Sequence, residues 1–119
     1  MFTDSLESDF TKLADSSKDA NWIRQEFNVS ADAGRGEYGK SFELDNVRAH
    51  PRTSTSQEAQ HDSGGLELLV SSTLSTGSVS GAELDTARLD LHWGSYRAGM
   101  KLTDVNGTCA AFFWVGDGE

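Results

Sequence analysis

Seven consecutive residues, Cys109-Ala110-Ala111-Phe112-Phe113-Trp114-Val115, carry no charged or amide side chain. A short segment that is apolar at every position reads as a strand covered on both faces, and such a strand stands inside a sandwich with a layer on either side. Just before it, Asp104-Val105-Asn106-Gly107 is a turn signal, because Asn and Gly tolerate the positive φ of a tight hairpin. The pattern therefore predicts a hairpin across Asp104–Gly107, joining Arg97–Leu102 to Thr108–Trp114.

Period-two alternation recurs along the chain. In 23–29, Ile23, Phe27 and Val29 fall on one face, with Arg24, Glu26 and Asn28 on the other. Leu66, Leu68, Val70 and Leu74 repeat the pattern, as do Leu89, Leu91 and Trp93, then Tyr96, Ala98, Met100 and Leu102. At least four strands are expected. Two polar segments, Ala31–Gly39 and Arg52–Gly65, read as surface loops. A single helical turn is expected at Asp15–Asp19, where Asp15 or Ser16 can cap. These signs give an all-β class.

Composition limits what that class can build. The chain has 119 residues, enough for one small domain, and Leu, Ile, Val and Phe account for only 24 of them. With 19 acidic and 10 basic residues the net charge is −9, which repels phosphate backbones, so nucleic acid is not an expected partner. No apolar run approaches the roughly 18 residues of a membrane span, and the start, MFTDSLESDF, has neither the basic nor the apolar region of a secretory signal peptide. The single cysteine, Cys109, excludes an internal disulfide, and its apolar neighbours predict a buried, inert thiol.

Two motifs can be dismissed on their context, and a third is weak. His50, His61 and His92 lack the spacing of a metal site, and nothing calls for a metal or another cofactor. Gly34-Arg35-Gly36 with Gly39 matches the spacing of a phosphate loop, but Lys40–Leu44 alternates like a strand where a nucleotide fold needs a helix. Asn28-Val29-Ser30 and Asn106-Gly107-Thr108 are N-glycosylation sequons. With 24 Ser and Thr, about 0.8 sequons are expected by chance, so the pair lends secretion little support.

The stretch 81–114 is the most informative: T-x-R-x-x-x-x-x-G-S-Y-R-A-x-M-K-L, a turn, then G-T-C-A-A-F-F-W. It resembles the glycoside hydrolase family 16 domain, particularly its fungal members. DFTKL, NWIRQEFNVSADAGRGEYGKSFE and GLELLV look like earlier strands of the same domain, so the resemblance runs from Asp9 to Trp114. It implies an antiparallel, concanavalin A-like β-sandwich of jelly-roll type, of which residues 1–119 would be the N-terminal part. An extracellular or cell-wall location is implied too, with a polysaccharide of the β-glucan class as partner.

The resemblance also implies a retaining mechanism, with two glutamates and an aspartate on an ExDxE or ExDxxE strand shortly after the segment matching Phe112-Phe113-Trp114. Alternate residues on a strand share one face, which sets the first spacing; the second needs a bulge. Nucleophile and acid must lie about 5 Å apart. These 119 residues contain no such motif: after Trp114 come Val115-Gly116-Asp117-Gly118-Glu119, and Asp117 with Glu119 leaves the third carboxylate missing. A truncated domain without catalytic residues is expected, such as a coding sequence read into an intron gives, since a valine codon begins with the GT of a splice donor.

Related β-glucanases turn a glutamate and an arginine into the cleft from the strand matching Trp93–Lys101, where this chain has Arg97 and Gly99. Phe113 matches an aromatic cleft position. Arg97 and Phe113 are thus the candidate substrate-binding residues, by hydrogen bonding and stacking. Surface charge for Arg97 and core packing for Phe113 are the competing readings, while Trp93 and Trp114 are expected in the core. A non-catalytic, lectin-like carbohydrate-binding protein is the alternative function, and an interaction module without a sugar site a third.

Overall fold

The computed structural model describes residues 3–51 and 64–115. Of the loop expected at Arg52–Gly65, residues 52–63 lie outside them, as do Asp117 and Glu119, while Gly65 opens a strand. The chain divides into two compact units, residues 6–87 and residues 1–5 with 88–119.

The first unit is built from short strands. Aspartate caps start it: Asp9 and Asp15 accept from the backbone N–H of Thr11 and Ser17, opening 3-10 turns at Phe10–Lys12 and Ser16–Lys18. The second is the turn expected at 15–19. β1 (Trp22–Arg24) and β2 (Phe27–Val29) follow, then a single helical turn, α1 (Ala31–Gly34), and β3 (Gly39–Phe42). A 3-10 turn at Leu44–Asn46 leads into β4 (Val47–His50). β5 (Gly65–Leu68), β6 (Leu74–Ser75), β7 (Ser78–Gly81) and β8 (Leu84–Thr86) complete the unit. Among the described residues the regular structure is mostly strand, with one helical turn and three 3-10 turns, consistent with the expected all-β class.

Two expectations need correction here. The loop expected at 31–39 contains α1, because Ser30 caps its start by accepting from Ala33 N–H, and Arg35 closes its end in the left-handed region at φ 56°. The strand expected over 23–29 is broken at Gln25–Glu26, and β1 has the opposite phase. Ile23 is 53% exposed, whereas Trp22 and Arg24 are half-buried. Their polar ends explain the inversion. Trp22 packs edge-on against Phe10 and donates from Nε1 to Ser8 Oγ at 2.8 Å, while Arg24 Nη1 reaches the Leu44 carbonyl at 3.2 Å.

Three sheets result. β1 pairs antiparallel with β8, β4 pairs antiparallel with β5, and a four-stranded sheet runs β2-β3-β7-β6. Its central pair, β3–β7, is parallel, so the sheets are not purely antiparallel as expected. The link of 43–77 is long enough for the crossover that a parallel pair requires. A polar chain of contacts fastens it: Asn46 Nδ2 donates to Ser80 Oγ (2.7 Å) and to the Gly81 carbonyl (2.8 Å), and Ser80 Oγ donates to Glu43 Oε2 (2.6 Å). Among the described residues Val47, 2% exposed, is the only fully buried apolar side chain.

The second unit has no strand or helix among its described residues. The turn at Asn106–Gly107 is present, with Gly107 at φ 90° and Thr108 Oγ1 donating to the Val105 carbonyl at 2.8 Å. The strands expected on either side of it, at 97–102 and 108–114, do not form, nor does one at 89–93. Alternation marks a strand only where a partner satisfies its backbone and a layer covers its apolar face. Here Leu89, Met100, Leu102 and Phe112 all remain exposed.

Candidate functional site

The two residues singled out as sugar contacts, Arg97 and Phe113, both belong to the second unit. Arg97 is exposed, and Phe113 is 62% exposed. No hydrogen bond, ion pair or ring contact joins them among the described residues. Nearby, Trp114 Nε1 donates to the Leu91 carbonyl at 2.7 Å, and Tyr96 Oη donates to the His92 carbonyl at 2.5 Å. These bonds tie Trp114 and Tyr96 to 91–92, and both residues remain exposed.

The expectation that Trp93 and Trp114 are core residues is overturned. Trp93 is fully exposed and Trp114 is 54% exposed. Cys109 is exposed as well, not the buried thiol expected. The cause is the same for all three: 88–115 forms no sheet, so its apolar side chains have no opposing layer within the unit.

Arg88 organises the charged end of this unit. Its guanidinium grips Asp90 with two hydrogen bonds, 2.9 and 3.1 Å, and meets Asp4 Oδ2 at 3.0 Å. These hydrogen bonds push Arg88 further above its already high value, and Arg88 holds the Asp90 carboxyl below the usual range.

The first unit carries polar groups that alternation alone did not single out. An open depression of about 570 Å³ is lined by Asp15, Ser16, Arg24, Asp45 and Arg48 over Val47 and Ala49. β4 alternates, so Arg48 and His50 are exposed while Val47 is buried and Ala49 half-buried. On the neighbouring strand Glu67 faces Arg48 in register and bonds to His50 Nε2. The signal was in Arg48 and His50 at i, i+2 on one strand and Leu66-Glu67-Leu68 on another. Their pairing was not legible without the register.

Glu83 and Asp85 form a carboxyl pair at the start of β8. Burial, followed by the charge of Asp85, raises the Glu83 pKa; burial also raises that of Asp85, against the lowering effect of their shared hydrogen bond. Two acids at i, i+2 were the available signal. Among the described residues no group of three His, Cys, Asp or Glu side chains could hold a metal ion, and no helix is long and apolar enough to cross a membrane.

No family model, curated protein or solved structure matches this chain. The residues of 81–114 therefore carry the functional reading themselves.

Proposed function

We propose that this chain is part of a family 16-like, concanavalin A-type β-sandwich that binds a β-glucan-class polysaccharide at an extracellular or cell-wall location, and that these 119 residues do not cleave it. The observation that carries the reading is the ordered block G-S-Y-R-A-x-M-K-L followed by G-T-C-A-A-F-F-W in 94–114. The strand-rich first unit agrees with it. So does exposure of Arg97, whose guanidinium can donate to sugar hydroxyls, and of Phe113, whose ring can stack on the apolar face of a pyranose.

Cleavage needs a nucleophile and a proton donor, and removing such groups usually costs several orders of magnitude in rate. No ExDxE or ExDxxE sequence occurs in the 119 residues. Incubation with laminarin, mixed-linkage β-glucan and chitin-linked glucan should release no reducing ends above blank. Release that disappears when Asp117 and Glu119 are both changed to alanine would overturn the non-catalytic reading.

A further inference from the structure

We propose that Asn106 is an N-glycan acceptor, used in preference to Asn28, when the chain enters a secretory lumen. The inference rests on the extracellular reading for its occurrence in a cell, but its test supplies lumenal entry independently.

The two sequons differ in their backbones. Asn106, Gly107 and Thr108 are all exposed, lie at a turn and belong to no ladder. Gly107 takes φ 90° in that turn, and the bond from Thr108 Oγ1 to the Val105 carbonyl must yield for the hydroxyl to approach the Asn106 amide. Asn28 is also exposed, but it is the central residue of β2 and stands opposite Ser41 of β3. The Ser30 hydroxyl is engaged as the cap of α1. Looping the chain at Asn28 would therefore open both a ladder and a helix cap.

The donor is an oligosaccharide linked to a lipid pyrophosphate. Asn106 Nδ2 forms a C–N bond to the anomeric carbon as the bond from that carbon to the pyrophosphate oxygen breaks. The pyrophosphate leaves with the electron pair, and the Nδ2 proton passes to a base of the lumenal transferase. Nothing is oxidised or reduced.

The test places the full 119-residue chain behind a cleavable signal peptide in a eukaryotic translation system with microsomes, and signal removal reports lumenal entry. Signal-cleaved chain should shift to lower mobility, and peptide:N-glycosidase should reverse the shift and leave aspartate at position 106 by mass spectrometry. The modification should vanish in Asn106→Gln and Thr108→Ala and persist in Thr108→Ser and Asn28→Gln. Signal-cleaved chain with Asn106 unmodified, or with sugar on Asn28 alone, would overturn the proposal.

Discussion

The Ser16 hydroxyl donates a 2.8 Å hydrogen bond to the Val47 carbonyl, linking a 3-10 turn to a strand 31 residues away, and both residues are buried. Ser16→Ala leaves that carbonyl without this donor and should cost about 1 kcal/mol. Val47→Ala removes the fully buried apolar side chain beside it and should cost roughly 2 kcal/mol from lost transfer energy and the cavity. Urea titration followed by far-UV circular dichroism reads both losses, and an unchanged midpoint in Val47→Ala would show that Val47 is not the centre of the core.

Of the two glycines in the four-stranded sheet, Gly39 has the less room for a side chain. A Cβ there would sit 2.8 Å from Ser78 Oγ and 2.9 Å from the Val29 carbonyl oxygen. The serine can rotate away, but the carbonyl belongs to β2 and moves only with its strand. Gly39→Ala should destabilise the unit by about 1–3 kcal/mol. Adding Ser78→Ala should recover only part of that loss in the same titration.

The raised pKa values of Glu83 and Asp85 set the sign of a pH effect. Each carboxyl binds its proton more tightly folded than unfolded, so their contribution is fully present below the ordinary values of 4.5 and 3.8. It is lost as pH rises through the higher folded values. Asp15, held low chiefly by the Ser17 hydroxyl and then by the Ser17 N–H, acts in the opposite sense: its contribution is present above 3.8 and lost as pH falls through the lower folded value. Glu83→Gln should therefore slow amide exchange at Gln25, which donates to the Glu83 carbonyl, at pH 7, and the two chains should converge in acid.

Residues 88–115 expose Trp93, Met100, Leu102, Phe113 and Trp114 without a ladder. So little burial gives these residues low local stability. Their amides should exchange with little protection while those of β3 and β7 remain protected, and the chain should bind a hydrophobic dye. Strong protection at Ala98, Met100 and Ala111 would contradict the absence of strands there.

Local chemistry was the legible part. Asp15 before Ser-Ser-Lys announces its own cap, and Asn106-Gly107 makes its turn. Of the alternating Lys40–Leu44 only 40–42 fall in β3, with Leu44 opening a 3-10 turn; Leu66 and Leu68 fall in β5 and Leu74 in β6, but Val70 lies in no strand and Leu68, Val70 and Leu74 are exposed. Pairing over long separations was not legible. No pattern in Gly39–Phe42 names Ser78–Gly81 as its parallel partner, and the phase of β1 depends on where the Trp22 and Arg24 polar ends find hydrogen bonds. The strand expected at Cys109–Val115 is the sharpest case. Seven apolar residues state a need for two covering layers but do not supply them.

Binding tests the central claim most directly. Isothermal titration of the intact chain with laminarin and with mixed-linkage β-glucan oligosaccharides should give saturable binding. Arg97→Ala should weaken it by about tenfold, the equivalent of one lost hydrogen bond of roughly 1.4 kcal/mol, and Phe113→Ala should weaken it by a similar factor through lost stacking. Absence of binding to either glucan, or binding that both substitutions leave unchanged, would contradict the account.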